Sequence, residues 1–263
     1  MRAHAPGSVT GLFAPAPDDE ESRSRGASFA TEAGVVVDLT PAPETELTVD
    51  GEPAPFEPID ELLGELDVTA AVDVQPEVPL GAGFGASGAA TLATALASNA
   101  AFDLGFDREE LVAASHRAER AADTGQGDVY IQDAGGLIWS ANGELHRVEP
   151  DGFVEYVSGG SISTAEMLAD EAFMETATRC GRAQLDALSA PPTLRELAER
   201  SRSYAIETGI ETEFVRREAD RVEAAGGVAG MALFGETVFA VGVEGVLPNR
   251  TAVSATGARL LEE

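Results

Sequence analysis

The sequence predicts an α+β protein built in two halves. Runs of alternating apolar residues dominate the first third and return near the C-terminus, amphipathic helical patterns fill the middle, and the two do not alternate as βαβ units. The length of 263 residues with 44% hydrophobic content is enough for one large or two modest cores.

Taken in order, "GSVTGLFAP", "SFATEAGVVVDL", "TELTVDG" and "TAAVDVQPEVPL" read as strands divided by Pro, Gly and Asp turns, so the first third is expected to be mostly sheet. Ser87 to Ala101 reads as a helix of small and apolar residues. "DREELVAASHRAERAAD" reads as a second helix, with Asp107 as its N-cap and Glu109 and Glu110 near its positive end. "GGLIWSANGELHRVE" reads as a hairpin turning at Asn142–Gly143. Beyond a Gly/Ser stretch, "VSGGSISTAEML", three helices are expected over 164–188, 193–209 and 211–224, then strands in "GVAGMALFGETVFAVGV" and "TAVSATG". The expected division gives residues 1–157 and 158–263.

Charge narrows the function classes. Acidic residues number 46 against 17 basic ones, all of them Arg, for a net charge of −29; the chain has no lysine. A body this negative repels nucleic acid, and a lysine-dependent P-loop is excluded. Acidic residues spread along the whole chain resemble those of proteins from salt-loving archaea, where screening suppresses self-repulsion. One cysteine, Cys180, forms no intrachain disulfide, and with only three histidines beside it no zinc cluster is expected. No apolar run suits a membrane span and the N-terminus lacks a signal-peptide core, so a cytoplasmic protein is expected.

The stretch "PLGAGFGASGAATLATALASNA" carries the strongest functional signal. Gly81, Gly83 and Gly85 permit left-handed backbone and close approach, and the helix that follows points free N–H groups at the loop. That is an anion cradle, or else a tight strand-to-helix turn. Downstream, "SHRAERAADTGQGD" places His116 and Glu119 three apart on one helix face, with Asp128 after a glycine turn. Phosphoryl transfer needs a metal ligand, charge neutralisation and a group that handles the attacking hydroxyl. Glu119, Asp128 and Ser87 could supply these. Equally, Glu119 could be a solvated carboxylate, Asp128 and Ser87 helix caps, and His116 a core histidine.

"PLGAGFGASGAA" resembles the second signature of the GHMP kinases, "APGSVTGLF" (5–13) their first and "AAGGVAGMALFG" (224–235) their third. The resemblance implies a two-domain fold: an N-terminal α+β domain like a domain of a ribosomal protein, carrying the phosphate loop, and a C-terminal ferredoxin-like domain. It implies ATP bound by the backbone of Gly81, Ala82, Gly83, Phe84, Gly85, Ala86 and Ser87, Mg²⁺ held by Ser87 and Glu119, and catalysis by Asp128 with Glu119. With "SRGAS", "HRAE" and "GQGD", the chain is most similar to the archaeal pantoate kinases of coenzyme A biosynthesis, which implies that Ser24, His116 and Thr164 line the pantoate pocket. The partners implied are ATP and pantoate, with neither nucleic acid nor membrane; a homodimer is left open.

The chain departs from that pattern in three places. Ser8 stands where some GHMP kinases carry lysine, "RSRGAS" replaces a glycine-richer run, and "LIWSAN" lacks an expected arginine. Arg25, Arg117, Arg147 or another arginine is then left to meet a substrate carboxylate, with none singled out. The alternatives are another GHMP kinase, acting on homoserine, shikimate or a mevalonate-like acid, a nucleotide-binding module without chemistry, and a structural acidic protein.

Overall fold

A computed structural model describes residues 1–15, 24–125, 127–141, 144–162, 167 and 169–262. The expected turn at Asn142–Gly143 and the proposed pocket residue Thr164 lie outside the described residues. The fold is α+β, with two sheets.

The first sheet is organised around two long antiparallel strands, β1 (Arg2–Ala14) and β2 (Arg25–Pro41), paired along nearly their whole length. Strand order is β12-β1-β2-β5-β3-β4, where β3 is Glu46–Val49, β4 Glu52–Pro53, β5 Ala70–Pro76 and β12 Arg259–Leu260. The other end of β2 pairs with β6 (Leu137–Ala141), which forms a ladder with β7 (Glu144–Val148). The second sheet, ordered β11-β8-β10-β9, joins β8 (Phe153–Ser161), β9 (Val228–Ala232), β10 (Gly235–Val241) and β11 (Asn249–Ala252). Residue 157, where the sequence expectation divides the chain, lies within β8.

Seven helices are assigned among the described residues. The first third is mostly sheet, as expected, and α1 (Glu57–Glu65) is an addition to it: Pro58 opens the helix, and Ile59, Leu62 and Leu63 bury one face. Helix α2 (Ala86–Phe102) is buried on nearly all sides, which its Ala, Gly, Ser and Thr content permits because small side chains let strands approach closely. Helix α3 (Arg108–Ala121) starts at the expected cap: the Asp107 side chain accepts from Glu110 N–H, and the Glu110 side chain accepts from Asp107 N–H. Helix α4 (Asp128–Ala134) is short. Helices α5 (Glu171–Asp186), α6 (Leu194–Thr208) and α7 (Glu213–Ala224) are capped by Asp170, Thr193 and Thr212. Within the expected 164–188 helix, α5 therefore begins at the Asp170 cap.

One continuous core joins the two sheets. Phe29 of β2 meets Phe239 of β10 edge-on, with ring centroids 5.4 Å apart, and Phe13 meets Phe234 at 6.0 Å. Cys180 is buried, and that burial pushes its thiol up, as a structural rather than reactive cysteine requires.

Candidate active site

The glycine loop joins β5 to α2. Gly81, Gly83 and Gly85 all have positive φ, at 72°, 81° and 59°. Gly85 is itself the N-cap of α2, in left-handed conformation, so the helix starts at Ala86 and Ser87 lies inside its first turn. This corrects the alternative in which Ser87 caps the helix. The long helices α3, α5, α6 and α7 all begin with an Asp or Thr side chain satisfying their first amides, whereas α2 has neither a side-chain cap nor an acidic residue in its first turn. Its N–H groups and positive dipole end are left for an anion.

The C-terminal glycine signature supports this loop from outside. A Cβ on Gly235 would fall 2.1 Å from the Ala82 carbonyl oxygen, and one on Gly83 would lie 3.1 Å from both Gly235 N and Leu233 O. The turn between β9 and β10 therefore presses against the loop, which explains why glycines 150 residues apart in the chain belong to one structure. From the other side, Ser8 N–H donates to the Phe84 carbonyl at 2.8 Å, and Gln132 Nε2 donates to the Gly85 carbonyl at 2.7 Å.

Glu119 is 2% exposed, which excludes the solvated-carboxylate alternative. Three hydroxyls donate to it: Ser87 and Thr91 to Oε1, each at 2.8 Å, and Thr124 to Oε2 at 3.0 Å. Burial raises its pKa, and these three hydroxyls partly offset the rise. Gly125 is shaped to it, since a Cβ there would sit 2.7 Å from Glu119 Oε2. Asp128 is the first residue of α4, whose cap is Gly127, so it is not the cap. Its Oδ1 accepts from the Ser8 hydroxyl at 2.8 Å; burial raises its pKa and the Ser8 bond opposes that.

His116 is half-buried on α3, its ring 5.1 Å from that of Tyr130, two residues after Asp128. Burial, then Arg120 and Arg117, lower its pKa, so it is a neutral hydrogen-bonding group at neutral pH. Ser24 is exposed at the entry to β2. The three candidate arginines are engaged elsewhere. Arg25 pairs with Asp186 at 2.9 Å, Arg117 pairs with Glu65, and Arg147 donates to the carbonyls of Ala134, Gly135 and Ala255 and pairs with Glu149.

The arrangement thus brings Ser87, Glu119 and Asp128 to the mouth of the glycine loop. It adds residues that the sequence did not single out for roles: Ser8, Thr91, Thr124 and Gln132. Thr91 had a signal, being one helical turn after Ser87.

Comparison with known proteins gives the same picture. Residues 57–136 match the family model of the GHMP kinases N terminal domain, covering α1, the glycine loop, Glu119 and Asp128. The chain thus carries a match to the GHMP kinases N-terminal domain over residues 57–136. Among curated relatives, the chain is 25% identical over 257 residues to a pantoate kinase of Methanospirillum hungatei JF-1, covering 92% of this chain and 87% of the relative. It is 28% identical over 277 residues to a pantoate kinase of Thermococcus kodakarensis, with the same coverage. A solved "phosphotransferase related to CoA biosynthesis pathway" shares the fold at TM-score 0.81 and 22% identity, covering 98% of this chain and 97% of that one. Among the described residues, no helix is long and apolar enough to cross a membrane.

Proposed function

We propose that this chain is a GHMP kinase that transfers the γ-phosphoryl group of ATP to the 4-hydroxyl of pantoate, giving 4-phosphopantoate for coenzyme A synthesis. The observation that carries the reading is the convergence of two recessed carboxylates, Glu119 and Asp128, on the uncapped N-terminus of α2, each held by hydroxyls from another element. The end-to-end similarity to pantoate kinases supports the choice of acceptor.

The loop amides of Gly81 to Ser87 are suited to the ATP phosphates: the backbone is left-handed at three positions, and the helix that follows has no side-chain cap. The site also suits Mg²⁺. Ser87 Oγ and Glu119 form a hard-oxygen donor pair, and a kinase metal takes only one or two carboxylates beside the substrate phosphates. Bound there by Ser87 and Glu119, Mg²⁺ would neutralise charge developing on the phosphates.

Asp128 accepts the proton as the acceptor oxygen attacks the γ-phosphorus and the bond to the β-phosphate oxygen breaks, releasing ADP. Its raised pKa strengthens it as a base, and Ser8 fixes the direction of its Oδ1. His116 donates to the acceptor from the α3 side, with Ser24 and Thr164 as further pocket residues. We also propose that the chain works as two domains, the first carrying the loop and both carboxylates.

The test is ADP release measured with pantoate, homoserine, shikimate and mevalonate in turn. A kcat/KM for pantoate well above the others supports the proposal, and comparable turnover of homoserine moves the assignment to another acceptor.

A further inference from the structure

Among the described residues, the site brings together an acceptor base without placing a cation for an acceptor's carboxylate, and the face of the first sheet beside Asp128 supplies a different kind of group. From Ala3 to Ala14, β1 is buried at every position except Thr10. Thr10 lies two residues beyond Ser8, on the same face by strand alternation, and that is the face on which Ser8 meets Asp128. A partly exposed position in the middle of a strand paired on β2 means that, among the described residues, the sheet is incompletely covered there. A register shift between Thr10 and Leu12 marks a bulge at Gly11, a feature that turns side chains at the ends of regular pairing.

The face carries hydroxyls, Thr10 partly exposed and Ser28 and Ser140 recessed below it, each 5% exposed. Thr10 pairs in register with Ser28 of β2, and their hydroxyl oxygens are 2.9 Å apart. Ser28 in turn pairs with Ile138 of β6, which is half-buried on that face. At the next step, Ser140 Oγ accepts from Gly26 N–H at 3.2 Å. Two hydroxyls sharing one hydrogen bond leave one proton to donate outward, and the Ser140 hydroxyl, accepting from an amide, keeps its own proton. A carboxylate accepts only, so it matches these donors. The spacing also fits. Two residues along a strand span about 6.8 Å, and a four-carbon hydroxy acid whose terminal oxygen lies at Asp128 reaches about that far with its carboxylate.

We propose that the Thr10–Ser28 hydroxyl pair, with Ser140 beside it, seats the acceptor's carboxylate, and that Ile138 meets the acceptor's apolar carbon. The inference rests on the hydroxy-acid kinase reading above and makes it specific. It fits the engagement of Arg117 and Arg147 elsewhere and of one Arg25 nitrogen with Asp186: the carboxylate is bound by neutral donors. Thr10, Ser28 and Ser140 are then specificity residues, and the chemistry stays with Asp128.

The experiment compares Thr10→Val, Thr10→Ser and Ser28→Ala with the parent enzyme on the carboxylic acid that the parent turns over best. It measures KM for acceptor and ATP, kcat, the acceptor Kd by calorimetry, and the thermal midpoint. Losing a hydrogen bond to a charged group should raise acceptor KM and Kd about 10–100-fold in Thr10→Val and Ser28→Ala. ATP KM should stay within about twofold, and Thr10→Ser should recover most of the loss. The parent should also discriminate against pantoate's neutral C1 amide, and Thr10→Val should narrow that gap. If the parent phosphorylates pantoate while the variants bind it normally, or Thr10→Ser behaves like Thr10→Val, the seat is wrong and the kinase reading stands. Equal loss of ATP and acceptor affinity in the variants also overturns the seat. If the parent accepts only uncharged alcohols, the seat and the pantoate assignment fall together.

Discussion

Replacing Ser8 with Ala should change the enzyme in a way that depends on pH. Ser8 is fully buried, and its hydroxyl is the hydrogen-bond donor to Asp128 Oδ1, at 2.8 Å. It favours the ionised carboxylate against the burial that raises the Asp128 pKa. A hydrogen bond to a charged group is worth about 1.5–3 kcal/mol, so without it the proton is held more tightly by up to that amount. At 1.4 kcal/mol per factor of ten, kcat on the acid side of the profile should fall about 10–100-fold. At alkaline pH, where Asp128 is ionised in both proteins, most of that difference should disappear. Gln132 Nε2 also lies 3.3 Å from Ser8 Oγ, but it donates to Gly85 at 2.7 Å and is not placed to take over. The assay is kcat against pH at saturating ATP and pantoate. An acid limb that stays in place, or a loss independent of pH, would refute the assignment of Ser8 as the donor that tunes Asp128.

Three further expectations follow from the same geometry. Glu119→Gln should lose activity and regain part of it at raised Mg²⁺, whereas Asp128→Asn should lose about 10²–10⁴ in kcat with little rescue; identical metal titrations would contradict the separate roles. Asp128→Asn should also be the more stable protein at neutral pH, by about 0.5–2 kcal/mol. Because the folded pKa is raised, the protonated form favours folding, and that contribution is present below the ordinary aspartate range near 3.9 and lost as pH rises through the raised value. The variant's advantage should therefore vanish in acid, and a destabilised Asp128→Asn at neutral pH would argue against the burial penalty. Finally, with a net charge of −29 opposing two anionic substrates, concentrated KCl should lower KM and raise the unfolding midpoint; highest activity at the lowest salt, in folded protein, would defeat that.

The parts of the fold legible in the sequence were those with local causes. The glycine loop declares itself because left-handed backbone needs glycine, and α3 because Asp107 and Glu110 form a reciprocal cap. Helix α1 was not legible: it is only nine residues long, lies among prolines, and follows Phe56, which makes no side-chain cap. The site divides in the same way. Glu119 and Asp128 stood out through their spacing and their resemblance to a known pattern. Of their partners only Ser87 did; Ser8, Thr91 and Thr124 did not, because a hydroxyl has no compositional signature and Ser8 meets Asp128 across 120 residues of chain. That Glu119 is buried rather than solvated depends on packing against Thr91 and Thr124, which the helix pattern alone does not fix.

The most direct test of the central claim is phosphorus NMR of the product formed from ATP, Mg²⁺ and pantoate. The account predicts a new phosphomonoester on the primary 4-hydroxyl, stoichiometric with ADP, and its loss in Asp128→Asn. Inorganic phosphate as the only new species, or a phosphoryl signal unchanged by omitting pantoate, would contradict it.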